Sequence, residues 1–219
     1  MTIGILNGTA CSMANSPVVL VNLRDKEDLP SGACSGTVIA PRAVLTAAHC
    51  LLGDTVAVRV WTGTGDQLLA ASFQANPQYR LNDPSSDVGV IITAQDLTSS
   101  SIPVLASREP RVGEQALLVG WGKDQNGNGT TLRAGTTSVS AVGAGSLETQ
   151  YSPNAASVCS GDSGGPLLLS EGGVWAVAGV TSATTVSGSC ASGTNYFAKV
   201  RNASTLSFIV GLVPSATQR

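Results

Sequence analysis

The chain has little charge, few aromatic rings and one histidine. Of 219 residues, 12% are charged and 4% aromatic. With 12 Lys+Arg against 14 Asp+Glu, it offers neither a basic field for nucleic acid nor an acidic solvating tail, so no nucleic-acid partner is expected. Long apolar runs are missing too. Phe208-Ile-Val-Gly-Leu-Val213 falls far short of the ~20 residues that span a bilayer, so no membrane association is expected. The cysteines at 11, 34, 50, 159 and 190 form no close CxxC pair, and a single histidine cannot complete a zinc set. No metal and no cofactor are expected. Met1-Thr-Ile-Gly4 lacks a basic start and a cleavage pattern, and reads as a short leader or remnant before a mature domain.

What is present suits a packed protein with many tight turns: 42% of residues are apolar and 25 are glycine. The length holds one large domain or two small ones. Scattered cysteines fit disulfides in an oxidising compartment, which predicts a secreted protein. Five thiols permit two bridges with one left over, and spacing alone leaves the pairing open.

Short apolar or alternating runs recur between turn residues: Val18 to Leu23, Gly36 to Ala40, Thr55 to Trp61, Val88 to Thr93, Gln115 to Gly120, Pro166 to Leu169, Val174 to Val180 and Tyr196 to Val200. These are strand signals. Asp124-Gln-Asn-Gly-Asn-Gly129 reads as a hairpin loop, because its residues tolerate positive φ. One helix is predicted near the C-terminus, where Leu206, Ile209, Val210 and Val213 repeat at helical spacing behind the capping candidates Asn202 and Ser204, with Pro214 closing it. Many short strands and one late helix imply an all-β antiparallel barrel or sandwich. The region from Ser99 to Arg111, with Pro103 and Pro110, joins two halves.

Gly161-Asp-Ser163-Gly-Gly165-Pro166 sets a serine among glycines, which leave room for a substrate carbonyl and let backbone N–H groups point at it. A serine hydroxyl needs a base, normally a histidine whose second nitrogen is held by a carboxylate. His49, in Leu45-Thr-Ala-Ala-His-Cys50, is the one imidazole available. Of Asp83, Asp87 and Asp96, only Asp87 leads straight into an apolar strand that would carry its carboxylate below the surface. The order His49, Asp87, Ser163 excludes an α/β-hydrolase, in which the histidine comes last.

Together, Thr46-Ala-Ala-His49-Cys50, Asp87-Val-Gly-Val-Ile91, Gly120-Trp-Gly122 and Gly161-Asp-Ser-Gly-Gly-Pro166 resemble the chymotrypsin/trypsin family of serine endopeptidases, from Ile5 to the terminal helix. The resemblance implies two antiparallel six-stranded β-barrels with a C-terminal α-helix: residues 5–105 with His49 and Asp87, and residues 106–219 with Ser163 and the specificity pocket. Periodicity alone does not choose that fold. By resemblance, Ser163 is the nucleophile, His49 the general base and acid, and Asp87 the group orienting it. The N–H groups of Gly161 and Ser163 form the oxyanion hole. Cys34 pairs with Cys50, and Cys159 with Cys190.

In this family the residue six before the nucleophile lies at the pocket base, here Ser157, which is neutral and disfavours cleavage after Lys or Arg. Thr184 and Thr194 are expected on the walls, where they narrow the slot as in elastases and favour small aliphatic residues. A loop shift would instead give a chymotrypsin-like pocket. Asp162 is expected to pair with the amine of Ile5 once that residue is freed, although Gly4 is not the usual basic residue before such a cut. An uncleaved chain would be a zymogen or an inactive binding module. Cys11 resembles a family cysteine whose usual partner, near Ala134, is missing. Polypeptide substrates, protein protease inhibitors and a monomeric state complete the expectation.

Overall fold

A computed structural model describes residues 5–65, 67–123, 131–185 and 190–219. The expected leader at residues 1–4 and hairpin loop at 124–129 lie outside them. The first barrel is built from β2 (Val18–Arg24), β3 (Pro30–Ala40), β4 (Ala43–Thr46), β5 (Ala57–Trp61), β6 (Leu68–Ala75) and β7 (Gly89–Thr93), closed in the order β2-β3-β4-β7-β6-β5. Alternation drives it: Val19, Val21 and Leu23 of β2, and Val58 and Val60 of β5, point into one core while Leu20, Asn22 and Arg59 between them are half exposed.

The second barrel is built from β8 (Gln115–Gly120), β9 (Arg133–Val142), β10 (Ser146–Gln150), β11 (Pro166–Glu171), β12 (Val174–Thr184) and β13 (Thr194–Lys199). Its order is β9-β10-β13-β12-β11-β8, and a β8–β9 pairing closes it. A separate core fills it, with Leu118, Leu147, Leu167 and Phe197 fully buried. The short β1 (Thr9–Ala10) pairs with β9, Leu6 bridges Ser157, and Ile5 is buried in the second core. The beginning of the chain therefore packs on the barrel formed by its second half.

The helix α1 (Ala203–Leu212) forms as the pattern predicts. Asn202 caps it, its side-chain oxygen accepting from the N–H of Ser204 and Thr205. Ile209 and Val213 are buried in the cluster that includes the first barrel's core. No helix among the described residues is long and apolar enough to cross a membrane.

The linker between the barrels is held by backbone pairing: Leu105 N–H donates to Val177 and Val104 N–H to Thr217. The disulfides are Cys34–Cys50 and Cys159–Cys190, as the resemblance implies. Cys11 remains a free thiol, half-buried, its N–H bonded to Leu132, and burial raises its pKa.

Cys34–Cys50 closes a loop spanning 16 positions around β4. The Cys34→Ala/Cys50→Ala double variant should lose about 3 kcal/mol of stability in the chain-entropy treatment, measured by urea unfolding. A change below 0.5 kcal/mol would show that this bridge does not restrict the unfolded chain.

Candidate active site

His49 sits in a 3-10 turn, Ala48–Leu51, directly after β4. The alanines before it are fully buried, so the turn lies flush on the barrel wall and leaves the imidazole at its edge. Asp87 ends a second 3-10 turn, Pro84–Ser86, just before β7. Because β4 pairs with β7, with Thr46 opposite Gly89, both turns emerge at the same end of the barrel. Their meeting follows from register.

The contact is close. Asp87 Oδ2 lies 2.7 Å from His49 Nδ1, and Oδ1 accepts the main-chain N–H of His49 at 2.9 Å. A third donor comes from the second barrel, the hydroxyl of Ser182 at 2.6 Å from Oδ2. Asp87 is 1% exposed, and these donors replace the water its carboxylate loses on burial. A carboxylate only accepts, so Nδ1 carries the proton and Nε2 is left as an acceptor. The His49 side chain remains 32% exposed, open to the cleft.

Ser163 arrives on the loop from Cys159 to Gly165, which is pinned from three directions. Its carbonyl accepts the N–H of Ser35 on β3, and Gly164 N–H donates to Thr181 on β12. Ser35 also donates its hydroxyl to Gly161 O while accepting the N–H of Trp121. Gly164 has φ +80°, and a Cβ there would lie 2.2 Å from Thr46 Oγ1 and 2.4 Å from Ser35 O. Only glycine fits this approach. Gly164, the residue after the serine, thus lies against Thr46, three residues before the imidazole, and bonds Thr181, the residue before the one whose hydroxyl holds Asp87. Among the described residues, the N–H groups of Gly161 and Ser163 have no hydrogen-bond partner.

Asp162 points the other way, with no exposed surface. Its oxygens accept from Gly122 N–H and Cys159 N–H, each at 2.8 Å. Its bed explains the Gly-Trp-Gly motif: a Cβ on Gly120 or Gly122 would fall 2.1 or 2.4 Å from this carboxylate group. Among the described residues no cation pairs with it, and burial pushes its pKa up to about 7. Ile5 is buried in the second core, and among the described residues no hydrogen bond or ion pair joins it to Asp162. Ile5 holds φ +39°, a strained value for a β-branched residue.

Ser157 is fully buried and meets Asn195, whose Nδ2 donates to Ser157 Oγ at 3.0 Å and to Thr149 Oγ1 at 3.1 Å. Thr194, expected on the pocket wall, instead bonds the exposed side chain of Gln150. Strand alternation is the reason: consecutive residues of β13 face opposite sides, so Asn195 replaces Thr194 beside Ser157. Thr184 lies across from Asn195 in register and lines the cleft with His49. Asn195 could have been found from its period-two spacing with the apolar Phe197, whereas Ser182 gives no such signal. Cys34, Cys50 and His49 cluster together, but the two sulfurs are bonded to each other and are not free to ligate a metal.

The trypsin family matches residues 5–207 of this chain. Trypsin beta of Drosophila erecta is 30% identical over 195 residues, covering 78% of this chain and 75% of that protein. Trypsin alpha of Drosophila erecta is 31% identical over 195 residues, with 78% and 74% covered. The solved HL collagenase structure overlays with a TM-score of 0.81 at 21% identity, covering 96% of this chain and 99% of that one, a likeness of fold.

The raised Asp162 pKa has a defined sign. Between its ordinary 3.8 and about 7 the folded chain holds a proton that the unfolded chain has released, so this group's stabilisation is full below pH 4 and lost as pH rises through 7. The contribution of this group to stability should fall by up to about 1 kcal/mol per pH unit across that window. Urea unfolding at intervals from pH 4 to 8 should give a smaller slope for Asp162→Asn; equal slopes would remove Asp162 as the cause.

Proposed function

Because the chain belongs to the trypsin family of serine endopeptidases, we propose that His49, Asp87 and Ser163 cleave peptide bonds through an acyl-enzyme. Ser163 Oγ attacks the scissile carbonyl as Nε2 of His49 takes its proton. The oxygen, now negative, turns to the N–H groups of Gly161 and Ser163, whose lack of other partners suits them to a charge that develops only in the transition state. Collapse breaks the C–N bond, and the imidazolium returns the proton to the departing amine. Water then repeats the sequence and frees the acid. The observation carrying this reading is the buried Asp87 carboxylate gripping both the ring and the main chain of His49.

For the acyl side of the cut bond we favour small aliphatic residues, as in elastases. Ser157 supplies no counter-charge for Lys or Arg, and Thr184 is β-branched at the cleft. The Ser157–Asn195–Thr149 cluster supports a floor that is polar and short of space. Large apolar residues are the alternative. Secretion is supported by the disulfides, and protein inhibitors and a monomeric state go with this reading. A cut between Gly4 and Ile5 would remove the strained φ, which a terminal residue does not have, and would create an ammonium for Asp162. That Asp162 has no cationic partner among the described residues favours an inactive form of the uncut chain, a binding module or zymogen.

A fluorophosphonate should label Ser163 stoichiometrically in the chain beginning at Ile5, and Ser163→Ala should abolish labelling while leaving the unfolding curve unchanged; labelling that persists refutes the assignment. Asp87→Asn should lower turnover about 10⁴-fold, as in other triad proteases, because the amide no longer selects the working tautomer. On peptides differing only before the cut bond, Ala and Val should exceed Phe and Leu, and Arg should be refused. Faster cleavage after Phe would establish the chymotrypsin-like alternative.

A further inference from the structure

Beside the imidazole the cleft widens into a cavity of about 640 Å³. Its walls come from the segment between β6 and β7, with Tyr79, Leu81 and Pro84, and from Ala183 on β12 and Tyr196 on β13. Ala183 pairs with Tyr196, and the next pair along is Thr184 with Asn195. Since Asn195 turns toward Ser157, its neighbour Tyr196 faces the other side of the ribbon, into this cavity. The cavity is therefore separate from the Ser157 pocket but shares its wall.

Its chemistry is mixed in a specific way. Two tyrosine rings, Leu81 and Pro84 supply apolar and aromatic surface, and Leu81 is left 80% exposed at the rim. The lining also holds the carboxylates of Asp83 and Asp87, and no Lys or Arg. Asp83 is exposed, and its cap on Ser85 N–H uses Oδ1 and holds its pKa below the usual range. The Tyr79 hydroxyl is pushed up by burial and by the Asp87 charge, as expected where the local potential is negative. The adjacent Arg80 does not line the space; its Nη1 binds the carbonyls of Pro77 and Tyr79. Apolar walls, two aromatic side chains and the exposed Asp83 carboxylate at the mouth match a long aliphatic stem ending in a cation.

Resting on the endopeptidase reading above, we infer that this cavity receives a lysine or arginine side chain of the polypeptide substrate, at a position other than the residue that is cut. In an extended peptide successive side chains alternate sides, so the basic residue stands an odd number of positions from the one entering the Ser157 pocket. The chain would then refuse basic residues at the cut and select them beside it.

The test uses quenched peptides of one sequence with Ala before the cut bond, and Lys, norleucine, Phe or Glu placed in turn at each position one or three residues away. Full chain and chain beginning at Ile5 are assayed together, with fluorophosphonate labelling of each. At one position Lys should exceed norleucine about fivefold in kcat/KM and Glu by more, and the Lys advantage should shrink in 0.5 M salt. Asp83→Asn, which keeps an oxygen to cap Ser85, should bring the Lys to norleucine ratio near one. Norleucine or Phe matching Lys at every position would overturn the inference and mark the cavity as a purely apolar site. A Lys preference untouched by Asp83→Asn would overturn it as well. If neither chain is labelled, the endopeptidase reading falls and takes the inference with it; labelling without a Lys preference removes the inference alone.

Discussion

A carboxylate with almost no exposed surface must find donors, and Asp87 finds three on two pieces of chain: the backbone N–H of His49, its ring, and the hydroxyl of Ser182. The first two lie on one barrel and the third on the other. Satisfying a single buried charge therefore also sets the barrels' relative position, the imidazole's tautomer and the direction in which Nε2 faces. The bond from Ser35 N–H to the Ser163 carbonyl, and that from the Ser35 hydroxyl to the Gly161 carbonyl, cross the same seam. Chemistry and inter-barrel packing share the same hydrogen bonds, so loosening one loosens the other.

Asp162 supplies the contrast. It is as buried as Asp87, yet receives two main-chain N–H groups and no side-chain donor among the described residues, and its affinity for a proton rises accordingly. The burial of Asp87 is compensated by a ring and a hydroxyl as well as the main chain, whereas that of Asp162 is left uncompensated by any side chain among the described residues. The glycines on both sides of Trp121 exist to make room for the uncompensated one.

Much of this was legible in the residues. The runs at Val18, Gln115 and Val174 became strands near their expected limits because one face of each enters a core. β9, with its Gly, Thr and Ser, did not look like a strand: its place comes from backbone pairing with β8 and β10, which composition does not record. β6 is largely apolar but does not alternate cleanly, and none of its residues is fully buried. At the site, His49 and Asp87 were readable from local context. Ser182 was not, since its role depends on a neighbour brought in from another barrel. Thr194 was misplaced by one residue, which in a strand exchanges one face for the other.

The pairing of Thr9 with Ala134 has a consequence for synthesis. The Thr9–Ala10 segment is synthesised well before β9, its docking partner, so it waits unpaired while the first barrel closes on local contacts. Once β9 has formed, the Thr9–Ala10 segment is gripped by the second barrel, and the order in which the two barrels close becomes a kinetic choice written into the topology.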